Sequence, residues 1–329
     1  MSSALEVAYY VHGHGHGHAH RSVPVIRRLL ADGHRVTTYG GGDAKHLLDE
    51  LGAWQTRAPL LPGRRLLFTM PQRVAADIWQ LGRASPNVVV SDGDQAALAA
   101  ARLRRIRSLA VGHELVFTSC ELPESARPAA LRFRRANGMI PTHAAEHRVA
   151  VHFLPIEASR DNTWVARPDG DESLPTTNGG HYLAYFCGGN GTRVVEWLRA
   201  LGRDVRWFGP GSPEQANAAN GSRENFLAQL RGAAGVVGSA DSNLLAECVL
   251  CGKPVLGLYR SGDKEQELNA ALATAANVAM GATFDRVDAE LVERFVLRVE
   301  AAEFSRISLA EHLRPVSQVV SELLAEMAR

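Results

Sequence analysis

The sequence of 329 residues predicts an α/β protein made of two parallel-sheet domains that face a shared cleft. Three observations support this prediction. Strand–helix–strand patterns occur in both halves of the chain, a polar segment rich in glycine and proline separates them, and the length exceeds the roughly 250–300 residues that one core usually reaches. Ligands of such sheets bind at the carboxyl ends of the strands, so we expect the functional residues to gather there.

The first half of the chain opens with a strand–helix–strand unit. An apolar run at 7–11 ends in a glycine-rich loop, and apolar residues then recur at helical spacing from 21 to 32. Gly33 is placed to end that helix, and the next strand covers 34–39. Later strands are predicted at 87–90 and 108–111, with a helix at 96–103 between them.

The domain boundary is predicted in residues 159–180, because this segment is polar and contains several glycines and prolines. Residues 1–158 then form the first domain, and residues 181–310 form the second. Residues 311–329 contain an amphipathic helix, which we expect to pack back on the first domain. Strands of the second domain are predicted at 182–186, 205–208, 234–237 and 255–258.

The composition is ordinary for a soluble globular protein, with 46% hydrophobic and 22% charged residues. No apolar run reaches the ~20 residues that a membrane-spanning helix needs, and the first residues lack the pattern of a signal peptide. The four cysteines do not form a disulfide framework, and Cys248 and Cys251 lie in an apolar helical pattern that favours buried thiols over a metal or redox site. We therefore expect a cytoplasmic protein.

Charge is distributed unevenly along the chain. Residues 1–150 contain 19 Lys and Arg against 12 Asp and Glu, a charge of +7, and the remaining 17 and 23 give −6. The basic half indicates an anionic partner, such as a phosphorylated acceptor, or else a solvated basic face. Nucleic acid is not expected, because stacking aromatic residues do not alternate with the arginines. The arginines concerned are Arg102, Arg104, Arg105, Arg107, Arg132, Arg134 and Arg135.

Residues 60–68 combine apolar and basic side chains in a predicted loop. Such a loop can dock on anionic lipid, which would make the protein peripheral to a membrane. The alternative is that the loop covers the core or lines a pocket for the acceptor.

The loop from Gly13 to Arg21 alternates glycine with histidine. It does not match the dinucleotide fingerprint G-x-G-x-x-G, because its third glycine is replaced by His18 or, one repeat later, by His20, so a nicotinamide enzyme is disfavoured. Alternating imidazoles also suggest a metal site. No carboxylate or thiol set accompanies them at ligand spacing, so we expect no metal and consider instead that one histidine is catalytic.

The second half contains a strand that leads into a helix near Asp241. The amino terminus of that helix offers unpaired amides and partial positive charge, which suit a diphosphate. Glu247 follows within the helix, and a carboxylate there can accept hydrogen bonds from ribose hydroxyls. Asp263, Glu265 and Gln266 follow a later strand end and suit a hydroxyl-rich sugar, although these residues can also simply open a solvated helix.

These segments resemble the GT-B superfamily of glycosyltransferases, in particular MurG-like and UDP-glycosyltransferase-type enzymes. The resemblance implies two Rossmann-like domains that face a central cleft. It also implies a metal-independent, inverting transfer of sugar from a nucleoside-diphosphate sugar, with UDP or dTDP favoured, to a small-molecule or lipid-linked acceptor. No cofactor is implied beyond this co-substrate.

The resemblance also implies roles for individual residues. His18 corresponds to the family's candidate base, and His16 is the alternative because the repeat makes the alignment ambiguous. Residues implied on the acceptor side are Gly17, Arg21, Asp92 and His113. Residues implied on the donor side are Gly188, Gly189, Asn190, Phe226, Ser239, Asp241, Ser242, Asn243, Glu247, Asp263, Glu265, Gln266 and Asn269.

One pair of residues departs from the family pattern. Ala240 and Asp241 stand where the family usually has two glycines, and an acidic side chain is unfavourable beside a phosphate unless it caps the helix. Two alternatives therefore stay open. The protein can be an epimerase or hydrolase of nucleotide sugars with the same fold, or a non-catalytic protein that binds a nucleotide sugar.

Overall fold

The fold is known from a computed structural model, which describes residues 4–13, 17–52, 54–57, 66–137, 144–170, 176–177, 179–186, 191–209, 212 and 222–329. Within these residues, twelve strands form two sheets in which every pairing between strands is parallel. The predicted α/β class with two Rossmann-like domains is thereby confirmed.

The first sheet contains seven strands, namely β1 Glu6–Val11, β2 Arg35–Gly40, β3 Gln55–Thr56, β4 Val88–Asp92, β5 Arg107–Gly112, β6 His147–Val151 and β7 Thr163–Ala166. Their order across the sheet is β3-β2-β1-β4-β5-β6-β7. β1 and β4 are neighbours, and Val11 at the end of β1 lies opposite Asp92 at the end of β4. The loop that follows β1 therefore starts beside Asp92.

Strand β7 falls inside the segment 159–180, which was predicted as a linker. It pairs with β6, with Val149 opposite Trp164 and Val151 opposite Ala166, so the first sheet extends to residue 166. The predicted linker therefore begins too early, at residue 159. The polar residues and prolines after residue 166 dominate the composition of the segment, and β7 contributes only four residues against them.

Six helices accompany the first sheet: α1 Gly17–Ala31, α2 Lys45–Leu48, α3 Leu66–Ala84, α4 Gln95–Arg104, α5 Glu114–Ser119 and α6 Arg127–Asn137. Helix α1 starts four residues before the predicted start at Arg21, because the buried Ala19 continues the apolar face backwards. The predicted loop 60–68 also differs. Its last three residues open α3, while 60–65 lie outside the described residues.

The second sheet contains five strands, namely β8 Tyr182–Tyr185, β9 Val205–Phe208, β10 Gly235–Ser239, β11 Val255–Tyr259 and β12 Ala279–Thr283. Their order is β12-β11-β10-β8-β9, again with non-sequential neighbours that require crossover connections. The remaining helices are α7 Thr192–Ala200, α8 Arg223–Gly232, α9 Ser242–Leu250, α10 Lys264–Ala275, α11 Ala289–Glu300, α12 Leu309–His312 and α13 Val316–Met327.

Helix α13 packs on the first domain. Its buried apolar face joins the same core as β1 and α1, and Ser321 Oγ donates a hydrogen bond to Asp32 Oδ2 at 2.5 Å. The chain returns to the first domain beside the point where it left. Arg167 N donates to Arg314 O at 3.0 Å, and Val316 N donates to Arg167 O at 2.9 Å. Among the described helices, none is long and apolar enough to cross a membrane.

Candidate active site

A cleft of about 600 Å³ separates the two sheets at the carboxyl ends of their strands. This is the position at which parallel sheets bind ligands. From the first domain it is lined by His12, Gly17, His18, Arg21, Gly93, Gln95, His113, Glu114 and Phe133. From the second domain it is lined by Asp241, Ser242, Asn243, Gly262, Asp263, Lys264 and Glu265.

His18 lies in the first turn of α1 and forms a pair with Asp92. Nδ1 of His18 is 2.6 Å from Oδ1 of Asp92, and the histidine side chain is 25% exposed. Asp92 is completely buried and accepts further hydrogen bonds from Arg21 Nε at 2.8 Å and Ser22 Oγ at 3.0 Å. Asp92, expected to bind the acceptor, therefore lies behind His18 and contacts the histidine instead.

The charge of Asp92 is fixed by its partners. Burial alone would raise the pKa of Asp92, but the positive charge of Arg21 and the hydrogen bond from His18 outweigh it and hold the pKa at about 2. A carboxylate that stays ionised accepts the Nδ1 proton of His18, which sets the tautomer and leaves the lone pair on Nε2.

Gly93 leaves room for the histidine. It has a φ of +75°, and a Cβ atom at this position would lie 2.6 Å from His18 Cε1. The imidazole also contacts the His12 ring, whose centroid is 4.9 Å away. Any side chain at residue 93 would therefore both strain the backbone and displace His18.

Asp241 caps α9 and thereby accounts for its departure from the family pattern. Its carboxylate accepts a hydrogen bond from Leu244 N at 2.9 Å. The side chain of Asn243 at this helix end comes close to the first domain, because a Cβ atom on Gly17 would lie 2.5 Å from its Nδ2. The amino termini of α1 and α9 thus meet across the cleft, and both direct partial positive charge into it.

The predicted ribose-binding carboxylate is already paired. Glu247 forms an ion pair with Arg223 in the first turn of α8, and the arginine side chain is 49% exposed. Burial raises the pKa of Glu247, while the charge of Arg223 acts in the opposite direction. The guanidinium of Arg223 also lies 5.9 Å from the ring centroid of Phe226. Phe226 and Ser239, both expected on the donor side, are buried.

Two carboxyl groups from opposite domains share the cleft. Glu265 lines the cleft. Desolvation by the surrounding protein, followed by the negative charge of Glu114, raises the pKa of Glu265 to about 7. Burial likewise raises the pKa of Glu114. Asp263, in contrast, caps α10 by accepting a hydrogen bond from Gln266 N at 3.1 Å.

The side chains of His113 and Asn269, which were expected to contact ligands, contact each other instead. Both side chains are buried, and Nε2 of His113 is 2.7 Å from Oδ1 of Asn269. Desolvation lowers the pKa of His113 to about 4, so the ring is neutral at physiological pH. His113 reaches the cleft wall, whereas Asn269 lies within the protein.

Several residues expected at the site lie away from the cleft or outside the described residues. His16, Gly188, Gly189 and Asn190 lie outside the described residues. The arginines 102–107 lie at the carboxyl end of α4 and the amino end of β5, on the side of the sheet opposite the cleft. Arg132 forms an ion pair with Glu267, and Arg134 donates to Phe117 O. Among the described residues, these arginines therefore do not line the cleft.

Glu114 and Gly93 were missed by the sequence analysis, although one signal was available. Both lie just after a strand of the first sheet, Gly93 one residue after β4 and Glu114 two residues after β5. The rule that places ligands at the carboxyl ends of strands applies to them as it does to Asp92. The pairing of His113 with Asn269 had no such signal, since it joins residues 156 positions apart.

Comparison with solved structures supports the same architecture. MurG of Acinetobacter baumannii aligns with a TM-score of 0.70 and 14% identity, over 98% of this chain and 99% of that chain. UGT89C1 of Arabidopsis thaliana, complexed with UDP-L-rhamnose, aligns with a TM-score of 0.67 and 13% identity over 100% of both chains. The glycosyltransferase VinC, in complex with dTDP, aligns with a TM-score of 0.61 and 13% identity, over 98% and 99%. A search of curated proteins found no significant match.

The sequence itself matches a family model. The model of glycosyl transferase family 1 covers residues 66–300, which includes Asp92, the whole second sheet and the amino termini of α9 and α10. The match spans well over half of the chain, and the two-domain architecture agrees with it. The chain belongs to glycosyl transferase family 1, with the GT-B fold, and is a glycosyltransferase.

Proposed function

We propose that this enzyme transfers a sugar from a UDP- or dTDP-sugar to a small-molecule or lipid-linked acceptor, with inversion and without a metal. The observation that carries the proposal is that His18, backed by Asp92, faces the amino terminus of α9 across one cleft. The first arrangement suits an acceptor nucleophile, and the second suits a diphosphate. Structural relatives bound to UDP-L-rhamnose and dTDP support the choice of nucleotide.

The chemical step uses one proton transfer. An acceptor hydroxyl attacks the anomeric carbon of the donor sugar while the bond from that carbon to the diphosphate oxygen breaks. His18 Nε2 takes the hydroxyl proton, and the ionised Asp92 stabilises the resulting imidazolium through Nδ1. Attack on the face opposite the leaving group inverts the anomeric centre.

Departure of the nucleoside diphosphate requires stabilisation of negative charge. The amino terminus of α9 supplies backbone amides at Ser242 and Asn243. Helix α10 also begins at this cleft. Oriented amides of this kind stabilise an anionic leaving group in a site that excludes water. We therefore assign no metal or organic cofactor to the step.

Recognition of the nucleotide involves an exchange of partners at Glu247. The carboxylate releases Arg223 and accepts hydrogen bonds from the ribose hydroxyls, which can satisfy both of its oxygens. Arg223 is exposed and has a flexible side chain, so it can move to the bound phosphates. Phe226 lies beside this pair and supports the nucleobase end of the site.

A lipid-linked acceptor would bring the protein to a membrane surface through residues 60–68 and α3. Phe68 is 75% exposed and Trp79 is 63% exposed on α3, and the guanidinium of Arg83 lies over the Trp79 ring. Aromatic and basic side chains on one helix face suit an anionic lipid interface. Co-sedimentation with vesicles containing phosphatidylglycerol should decrease for Phe68→Ser with Trp79→Ser, but not for the control Leu103→Ser, which is also exposed.

The decisive experiment measures binding and turnover separately. Calorimetric titration with UDP, dTDP, GDP and ADP, with and without EDTA, should show EDTA-insensitive binding of UDP or dTDP. Transfer from the corresponding nucleotide sugars to a panel of acceptors should be lost in His18→Ala, while nucleotide affinity is retained. Unchanged turnover in that variant, or binding that requires a metal, would contradict the proposal. Release of free sugar without an acceptor product would indicate the hydrolase alternative.

A further inference from the structure

His113 and Asn269 connect the two domains by a buried hydrogen bond. His113 directly precedes α5 in the first domain, and Asn269 lies in α10 of the second. His113 is 4% exposed and Asn269 is completely buried. Nε2 of the histidine is 2.7 Å from Oδ1 of the asparagine, and Nδ1 is 3.0 Å from Val151 O. A buried polar pair of this kind is unfavourable to break, because each partner would lose its hydrogen bond without gaining water.

The hydrogen bond continues to the donor side of the cleft. Because Asn269 Nδ2 donates to Ala240 O at 3.2 Å, its Oδ1 faces His113 and accepts the proton of Nε2. The neutral ring then carries no proton on Nδ1, so the contact with Val151 O is not a hydrogen bond. Ala240 immediately precedes Asp241, the capping residue of α9. His113 immediately precedes Glu114 on the opposite wall. Two consecutive hydrogen bonds therefore join the wall that carries Glu114 to the start of the helix that faces the donor.

We infer that His113 and Asn269 are positioning residues, which hold the two domains at the separation where His18 faces the amino terminus of α9. The catalytic consequence rests on the proposed function. Asn269 uses both ends of its amide inside the protein and has no exposed surface, so it does not present itself to a donor sugar. Its role differs in this way from the sugar contact that the family resemblance implied.

A second polar contact joins the first domain to α10. Arg132 in α6 forms an ion pair with Glu267 in α10, but the arginine is nearly half exposed. Solvent and salt screen such a pair, and its contribution is close to zero in many proteins. The His113–Asn269 pair is shielded from both, so we expect it to fix the separation of the domains together with the apolar core that α6 and α10 share.

A double-mutant cycle tests the inference on the full-length protein. The variants are His113→Phe, Asn269→Leu and their combination, which replace the pair with apolar side chains of similar size. His34→Phe is the matched control, because His34 is also buried and hydrogen-bonded to the backbone, but only within the first domain. Small-angle X-ray scattering measures the radius of gyration, and calorimetry measures UDP affinity.

We expect each single variant to increase the radius of gyration, and the double variant to increase it no further, because all three remove the same interaction. The kcat should fall about 10–100-fold, since a displacement of about 1 Å is enough for such a loss. UDP affinity and the donor KM should stay within a factor of about three. His113→Gln, whose amide can still donate to Asn269, should recover most of the kcat.

Other outcomes would overturn the inference. If Asn269→Leu raises the donor KM at an unchanged radius of gyration, and His113→Phe has no effect, Asn269 is a sugar contact. Additive effects of the two substitutions would likewise show that the residues act independently. Should the leucine variant not fold, Asn269→Ser gives the same comparison, because serine is polar but too short to reach His113. Absence of UDP binding by the unmodified protein would contradict the proposed function, while scattering would still decide the pair.

Discussion

The two walls of the cleft hold their functional side chains in different ways. On the first-domain wall, His18 is fixed by Asp92, which is buried and bonded in turn to Arg21 and Ser22. In the second domain, Glu247 of α9 is held by Arg223, whose side chain is half exposed. The first set of contacts is complete without a ligand, whereas the proposed binding of ribose requires the second set to be exchanged.

This difference suits the roles proposed for the two domains, a base in the first and a nucleotide site in the second. A general base must stay in one tautomer and one orientation to be effective, so a buried network is suited to it. A donor site must open to a large charged ligand and release the diphosphate again, which a solvent-exposed ion pair permits. We therefore expect substitutions on the first wall to change kcat and substitutions on the second wall to change nucleotide affinity.

The largest expected effect is that of Asp92→Asn. The amide keeps the shape of the side chain but can no longer stabilise an imidazolium, and it favours the wrong tautomer of His18. The kcat should fall by about 10²–10⁴ with little change in UDP affinity. Steady-state kinetics and calorimetry check this. Ser22→Ala is the control, since it removes one hydrogen bond to Asp92 and leaves both the charge and His18. A kcat for Asp92→Asn close to that of Ser22→Ala would show that the charge of Asp92 is unimportant.

Gly93→Ala should have the next largest effect. The new methyl group would meet His18 Cε1 at 2.6 Å, and the backbone has a φ of +75° at this residue. Displacement of the imidazole should lower kcat about 10–100-fold. Gly33→Ala is a matched control for the backbone effect, because Gly33 has a φ of +87° and open space around it. Equal losses of kcat in the two variants would show that strain, not contact with His18, is responsible.

The free energy of unfolding should depend on pH through buried titratable groups, most of them in the first domain. The pKa of His113 falls from 6.5 to about 4 by desolvation, with Arg21 and His18 acting in the same direction, and burial also lowers the pKa of the adjacent His152. The unfolded chain takes up these protons at higher pH than the folded chain, so the two histidines lower the free energy of unfolding as the pH falls from 6.5 to 4. Asp77 and Glu265, whose pKa values burial raises to about 6 and about 7, act in the opposite direction. Asp92, whose pKa is lowered from 3.8 to about 2, adds a loss below pH 3.8.

Urea titrations between pH 7.5 and pH 4 measure this dependence. His113→Gln removes one of the groups that resist protonation, so its free energy of unfolding should vary less steeply with pH than that of the unmodified protein. The two slopes should differ most between pH 6.5 and pH 4, which is the interval set by the shift of His113. Parallel slopes would show that His113 titrates normally in the folded protein.

The smallest effect is expected for Arg223→Ala. Removing the arginine frees Glu247 for ribose but also removes a cation near the phosphates, so UDP affinity should change by less than about tenfold. Glu247→Ala should weaken UDP binding more, because it removes the acceptor of two hydrogen bonds. Calorimetry with UDP compares the variants. A larger loss for Arg223→Ala than for Glu247→Ala would reverse the roles assigned to this ion pair.

Much of the architecture was predictable because apolar periodicity is local. The strands around Val7 and Val236 and the helix after Arg21 stand out within windows of a few residues. The segments that carry His18 and Glu247 were identified from the resemblance, and the structure brings both domains' segments to one cleft. The capping role of Asp241 was one of two possibilities that the sequence left open.

Contacts between distant segments were not predictable in the same way. Asp92 was found as a strand-end carboxylate, but its burial behind His18 depends on the adjacency of β1 and β4, which the sequence order does not reveal. The location of the arginines 102–107 also needed the sheet, since charge counts say nothing about which end of a strand they occupy. Asn269 illustrates this: the family motif implies that it contacts the donor sugar, whereas in the structure its buried side chain contacts His113 and Ala240.

The return of the chain to the first domain makes the donor half a topological insertion. The outgoing segment at Arg167 and the incoming segment at Val316 run side by side and are hydrogen-bonded to each other. Residues 168–314 can thus be regarded as a cassette with adjacent entry and exit points. Chimaeras that exchange donor specificity should splice at both points and keep α13 from the acceptor parent, because a single crossover would pair α13 with a foreign α1.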